Sequence, residues 1–430
     1  MGWIIILIAA VLGLYMAWNI GANDVANSMA DAVGSKAISI KGAIIAAGIC
    51  EFAGAVLVGS HVTDTVRKGI VSPDALSGAP AVMALGMACA LLAAAVWLNL
   101  ATYVGMPVST THSIVGAVAG FGVVAAGWAA VQWGTMAKIV ASWFISPVAG
   151  AIMALLLFKL ISWAILGQRK PIPAARALTP FIVFFVAVVV TLAVVYKGLK
   201  HIIGQVAWLS GVTPFFIALG VGILSAALAR ILVGRYLKED GGLELEEQLE
   251  RVEKVFGPLV IITSCTVAFA HGSNDVANAV GPLAAVAEIV RTGKVVTEVP
   301  VPTWILGLGG GGITIGLAMY GYRVMTTVGE KITQITPSRG VAADVAAATT
   351  VLVCSRLEIP VSTTHTLVGA ILGVGLARGL GAVNRDVTRN IFGSWLLTVP
   401  AAAGLSVVFF LVARPLFLEA VQKLIQITPA

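Results

Sequence analysis

One polar string of eight residues returns almost unchanged within apolar surroundings: Gly21-Ala22-Asn23-Asp24-Val25-Ala26-Asn27-Ser28 and Gly272-Ser273-Asn274-Asp275-Val276-Ala277-Asn278-Ala279. A second string, Pro107-Val108-Ser109-Thr110-Thr111-His112, returns letter for letter as Pro360-Val361-Ser362-Thr363-Thr364-His365. The copies lie 251 and 253 residues apart (272 − 21 and 360 − 107), so one half of the chain duplicates the other. Any fold must therefore bring together two related halves and house acidic side chains in apolar segments. Polar strings duplicated in this way belong to the midplane site of a carrier.

Composition assigns the surroundings to a bilayer. Hydrophobic residues make up 59% of the 430 and charged ones 11%, and the mean hydropathy is +0.98. Repeated apolar runs of about 20 residues exclude a soluble globular domain and leave room for roughly ten to twelve spans. The start, Met1-Gly2-Trp3-Ile4-Ile5-Ile6, has no basic flank or small-residue cleavage pattern. It reads as the first span and not as a removed leader. Cys50, Cys89, Cys265 and Cys354 lie in apolar segments without metal-ligand spacing and read as small core hydrophobes. The net charge of +7 is no sign of a nucleic-acid partner, because the basic residues sit between spans.

The apolar stretches run approximately over 2–33, 41–60, 80–101, 107–127, 135–158, 178–197, 212–233, 255–290, 302–322, 340–356, 360–377 and 390–413. If each crosses once from an outer N-terminus, 17 of the 27 Lys and Arg residues fall on the inner side, the bias that topology expects. Five segments then form each repeat, and seven crossings separate their starts, which inverts the second copy. The expected organisation is a first repeat over 1–166, two linking spans and a short cytoplasmic linker over 167–254, and a second repeat over 255–430. The expected fold class is an all-α polytopic membrane protein with two inverted repeats and broken or re-entrant helices. Leu245, Leu249, Val252 and Phe256 follow the Gly241-Gly242 break at helical spacing among glutamates, predicting a short amphipathic surface helix. Gly309 to Gly312 and Gly316 predict close helix packing.

The acidic string lies inside runs too long for one straight crossing. Gly21 and Gly272 weaken a helix there, and Asn and Asp side chains compete for backbone groups. Non-helical backbone at that depth survives where it lines a protein cavity. The oxygens of Asn23, Asp24 and Asn27, with freed carbonyls, predict a hard cage suited to an alkali cation, and Asn274, Asp275 and Asn278 predict its copy. No histidine or cysteine falls within either string. An intramembrane aspartate costs about 2.5–3.5 kcal/mol on the insertion scale. The bland alternative is an interhelical hydrogen-bond knot.

Proline followed by serine and threonine is a helix-start signature. Free N–H groups, the positive end of the helix dipole and the hydroxyls of Ser109, Thr110 and Thr111 predict an anion site, with Ser362, Thr363 and Thr364 as its mirror. Each helix end offers about half a charge against two aspartates, so anion and cation are expected to bind together. His112 and His365 either reach the substrate or hold neighbouring helix contacts. Glu51 has no acidic mate in the second half, where the matching stretch falls near Pro302. It is an accessory candidate for a cation or a proton, or a structural pair. Asp344 is a candidate of the same kind.

These four strings resemble the inorganic phosphate transporter (PiT) family over essentially the full length of the chain. The resemblance implies secondary active transport of inorganic phosphate through an inverted-repeat membrane fold, driven by sodium in one branch and by protons in another. The unbroken Asn-Asp-Val-Ala-Asn pattern in both halves is similar to the sodium-coupled branch. Ser28 against Ala279 predicts unequal cation sites. The implied partners are phosphate, co-transported sodium and the lipid of the plasma (inner) membrane, with no enzymatic cofactor and with homodimer formation left open; charge balance between two aspartates and a phosphate of one or two charges calls for two or three sodium ions. The alternatives are a proton-coupled phosphate or sulfate permease of the same fold, a serine hydrolase using Ser109 and His112, and a phosphate-sensing receptor.

Overall fold

The computed structural model describes residues 2–59, 70–195, 212–238, 242–295, 301–356 and 361–426. Met1, Gly241 and Pro360 lie outside the described residues. In chain order the helices are α1 (Trp3–Ile20), α2 (Ala30–Gly34), α3 (Ile40–Val58), α4 (Pro80–Tyr103), α5 (Thr110–Ala126), α6 (Trp133–Ile161) and α7 (Pro171–Ala193). There follow α8 (Thr213–Tyr236), α9 (Leu245–Thr292), α10 (Thr303–Thr326), α11 (Pro337–Arg356), α12 (Thr363–Leu376) and α13 (Arg385–Gln426). Every apolar stretch read from the sequence is helical over most of its described residues. Among the described residues, nine helices are long and apolar enough to cross a membrane, and α5 and α12 are shorter apolar helices. Leu7, Phe144 and Leu224 are more than half exposed, an outward apolar surface of the kind that a bilayer covers. The chain is an all-α multi-pass membrane protein.

The helices interlock through glycines, and the pairing is two-fold. A Cβ on Gly21 would overlap the Ile313 carbonyl oxygen, and one on Gly272 would overlap that of Glu51. Likewise Gly316 abuts the Trp18 carbonyl and Gly54 that of Phe269. An offset of 251 carries Trp18 and Gly21 to Phe269 and Gly272. An offset of 262 carries Glu51 and Gly54 to Ile313 and Gly316 (313 − 51 and 316 − 54). So α1 packs on α10 as α9 packs on α3. The same exchange joins Gly116 and Gly120 of α5 to Val399 and Ala403 of α13, and Gly369 and Gly373 of α12 to Pro147 and Ala151 of α6. Small residues permit this backbone approach, which supplies the packing contacts that hold helices together in lipid. Gly309, Gly310 and Gly312 of α10 also pack closely on neighbouring helices, whereas Gly307 and Gly311 face open space.

Three expectations need correction. The position matching Glu51 is Ile313 and not the stretch near Pro302, because 41 residues separate Gly272 from Ile313 where 30 separate Gly21 from Glu51, an excess of 11 (313 − 272 against 51 − 21). The linker helix is not separate: α9 runs unbroken for 48 residues, about 72 Å at the α-helical rise. Its start has Glu246 and Glu247 in the first turn, and its end is Gly293 in the left-handed region (φ 67°), both favourable terminal signals. The 254/255 boundary therefore lies inside a helix.

The third correction concerns the broken helices. The first acidic string breaks its helix: Gly21–Val25 is a π-helical turn, and Met29 leaves helical geometry at φ −112°. The second string continues as regular α-helix. Side-chain competition accounts for the difference. In the first copy Ser28 Oγ donates to the Val25 carbonyl at 2.6 Å, and Asn27 Nδ2 donates to the Asn23 carbonyl at 3.4 Å. In the second copy Ala279 replaces the serine, and Asn278 Nδ2 is directed to side-chain oxygens instead.

Candidate functional site

The Ser/Thr strings start α5 and α12 as expected. Ser109 and Ser362 are the N-caps, each in extended geometry, and each Oγ accepts from the N–H three residues on, His112 and His365, at 3.3 Å. This is N-capping by serine. The hydroxyls that follow turn to the aspartates. Thr110 Oγ1 donates to Asp24 Oδ2 at 2.8 Å, and its counterpart Thr363 donates to Asp275 Oδ2 at 3.3 Å. The Thr110 backbone N–H also points at Asp24 Oδ2 (3.3 Å), so the helix dipole meets a carboxylate directly.

The two halves join here. Thr111 Oγ1 donates to Asp275 Oδ1 across the halves at 3.4 Å, and Asn278 Nδ2 lies 3.3 Å from Thr110 Oγ1 and 3.1 Å from Thr111 Oγ1. Asn274 Nδ2 and Asn278 Nδ2 both reach Asp275 Oδ1, at 3.1 and 3.2 Å. Asn27 Nδ2 reaches Asp24 Oδ1 at 3.4 Å, while its Oδ1 is buried without a hydrogen bond. Asn23 has a different task. Its Nδ2 donates to Thr102 Oγ1 and to the Met106 carbonyl, and its Oδ1 accepts from Val108 N–H, all within 3.0 Å. It holds the chain leading into α5, and its polar atoms are thereby engaged. Thr364 Oγ1 is buried without a partner.

His271 is the residue that the duplicated strings do not reveal. It lies one position before Gly272, and the same offset gives Ile20 in the first half. Four residues before Asp275, it shares that residue's face of α9. Its Nε2 sits 2.6 Å from Asp275 Oδ2 and 3.6 Å from Asp24 Oδ2. On its other side Nδ1 lies 3.0 Å from Glu51 Oε1. Asp24, Glu51, His271 and Asp275 are all at most 3% exposed. A buried polar set of this kind persists only through mutual pairing. No lysine or arginine pairs with these carboxylates among the described residues. The one sequence signal was the departure itself, a histidine where the other copy has isoleucine.

The remaining candidates stand apart from this set. The His112 and His365 rings meet edge to face, 4.8 Å between centroids, with His365 stacked on Trp395 at 3.8 Å and His112 beside Trp143 at 5.5 Å. Their rings make these helix contacts, while His112 Nδ1 and both His365 ring nitrogens are buried without a hydrogen bond. Asp344 belongs to a second acidic pocket: Ser264 Oγ lies 3.0 Å from Asp31 Oδ1 and 2.9 Å from Asp344 Oδ2, and Thr263 donates to Asp344 at 2.6 Å.

Comparison with known proteins agrees with this architecture. The phosphate transporter family matches over residues 20–406. A protein of Thermococcus kodakarensis named as a phosphate permease is 46% identical over 405 residues, covering 94% of this chain and 97% of its own. The chloroplastic inorganic phosphate transporter 2-1 of Arabidopsis thaliana is 41% identical, over 93% of this chain and 70% of its own. A solved structure described as the sodium-dependent phosphate transporter aligns with a TM-score of 0.85 at 43% identity, over 96% of this chain and 100% of its own. These are transporters, which sets aside the serine hydrolase. The chain belongs to the phosphate transporter family.

Proposed function

We propose that this protein carries inorganic phosphate across the plasma membrane in symport with sodium, by alternating access around the junction of its two halves. One observation supports this most: each Ser/Thr helix start is hydrogen-bonded to the aspartate of its own half, and Thr111 crosses to Asp275. The hydroxyls suited to an oxyanion and the carboxylates suited to cations thus share one wall. A phosphate placed against two bare carboxylates is repelled. Sodium ions at Asp24 with Asn27, and at Asp275 with Asn274 and Asn278, remove that repulsion and free the hydroxyls and N–H groups for phosphate.

In this reading Ser109, Thr110, Thr111, Ser362, Thr363 and Thr364 form the phosphate site, and Asn23 shapes it by holding the loop. Two aspartates and a phosphate of one or two charges approach neutrality with two or three sodium ions. The neutral, dry cavity then lets the halves move relative to one another. The sodium-dependent structural relative, at 43% identity, favours sodium as the driving ion. The proton-coupled alternative has the His271–Glu51 pair on its side, since both groups exchange protons.

The test is phosphate uptake into proteoliposomes by Asp24→Asn and Asp275→Asn variants. Each is expected to lose sodium-driven uptake while eluting as a folded protein. Full sodium-driven activity in either variant contradicts the cation assignment. Labelled phosphate challenged with sulfate separates the two cargoes: sulfate should not compete.

A further inference from the structure

The turn between α6 and α7 builds a pocket away from the paired aspartates. Ser162–Leu166 continues α6 as a π-helical turn, an irregularity that often marks a functional place in a helix. Gly167 N–H donates to the Ser162 carbonyl and Gln168 Nε2 to that of Trp163, each at 2.7 Å, so carbonyls left free at the helix end are satisfied. Two cavities share Trp163 and Gln168 here. The first, about 540 Å³, lies between α6, α7 and α11 and is walled by apolar side chains such as Leu157, Phe181, Ile182 and Val345. The second, about 550 Å³, holds Lys159 and Ser162 opposite Ala377, the residue after α12.

The second cavity is basic. Lys159 lines it, Arg378 follows Ala377, and Arg169 and Lys170 follow Gln168. Arg339 of α11 sits 5.5 Å from the centre of the Phe158 ring, and Phe158 lines this cavity. The Arg339 Nε is buried without a hydrogen bond. Arg339 and Arg378 are close enough to repel one another. Glu253, the carboxylate within range of Arg339, is engaged by Thr336 Oγ1, Ser338 N–H and Ser338 Oγ at 2.9, 2.9 and 2.7 Å. No carboxylate lines either cavity among the described residues. A cluster of like charges beside an apolar cavity suits an anion that carries its own hydrophobic body.

We infer that this pocket binds one anionic glycerophospholipid, with its phosphate at Lys159 and Ser162 and an acyl chain in the apolar cavity between α6 and α11. Basic pockets between transmembrane helices recognise anionic head groups in this way. Trp163 is 74% exposed where the two cavities join, the level at which an indole sits between head group and acyl region. A free phosphate ion would leave the apolar cavity unfilled. Because α6 precedes the linking spans and α11 follows them, the lipid joins elements of the two halves.

The experiment is a fluorescence titration of the purified full chain in detergent micelles with brominated lipids, whose bromines quench nearby tryptophan. The Trp163 signal is the difference between the unaltered chain and Trp163→Phe. Brominated phosphatidylglycerol should quench it saturably, at a lower mole fraction than brominated phosphatidylcholine does. Lys159→Gln and Arg378→Gln should each weaken phosphatidylglycerol about fivefold and leave phosphatidylcholine unchanged. Lys159→Arg should retain the preference, which separates lost charge from lost folding. Equal quenching by the two lipids overturns the inference, as does an undiminished preference in the Lys159→Gln, Arg378→Gln double variant. Displacement of the lipid by millimolar inorganic phosphate would also overturn it, making the pocket a site for the free anion. Shielding of Trp163 that rises with chain concentration and ignores lipid would do the same, making it a contact between copies.

Discussion

Thr110 Oγ1 donates to Asp24 Oδ2 at 2.8 Å, joining the first residue of α5 to the π-helical turn in the acidic string of its half. Its counterpart in the second half, Thr363 to Asp275, is longer at 3.3 Å. Asp24 thus depends most on its threonine, whereas Asp275 has its nearest contact in His271 at 2.6 Å.

Thr110→Val should impair transport more than Thr363→Val. Removing either hydroxyl leaves a buried carboxylate short of a donor, a loss of about 1–3 kcal/mol. The shorter bond should matter more. Uptake kinetics in proteoliposomes should show the apparent KM rising for both sodium and phosphate, because the threonine touches both proposed sites. A change in KM for phosphate alone would contradict the shared wall.

Glu51 and His271 should be energetically coupled. Glu51→Ile or His271→Ile alone orphans a buried polar partner, at about 1–3 kcal/mol each. The double variant copies the Ile20 and Ile313 pair of the other half. It should unfold at a higher temperature than the sum of the single losses implies. Simple additivity in detergent melting would show the contact to be inconsequential.

The glycine lock should be position-specific. Gly21→Ala places a methyl on the Ile313 carbonyl oxygen, and Gly316→Ala places one on that of Trp18. The obstacle is backbone and cannot swing aside, so each should destabilise by at least about 1–3 kcal/mol. Gly311 has nothing within 4 Å of an added Cβ. Gly311→Ala should be neutral or gain up to about 1 kcal/mol from helix propensity. Similar melting losses at Gly311 and Gly21 would contradict the packing described.

Much of this architecture was legible because apolar length and exact duplication are local properties of a chain. The apolar stretches are helical over most of their described residues, and Ser109 and Ser362 cap their helices as the Pro-Val-Ser-Thr-Thr string predicted. The partners of single residues were not legible, since they depend on which helices cross. His271 gained its meaning from Glu51, 220 positions away, and Asp31 from Ser264 and Asp344. The mate of Glu51 was misplaced because the second half carries 11 more residues between its acidic string and the matching position of α10 than the first half carries before Glu51 of α3 (262 − 251). The second helix break failed because Ala279 lacks the hydroxyl with which Ser28 competes for the Val25 carbonyl.

The central claim is that sodium neutralises Asp24 and Asp275 so that phosphate can enter beside them. Labelled phosphate uptake into proteoliposomes, driven by a sodium gradient and separately by a proton gradient of equal size, tests it most directly. The account predicts concentrative uptake under the sodium gradient, with a Hill coefficient for sodium above one. Uptake driven equally by protons in sodium-free medium would contradict it.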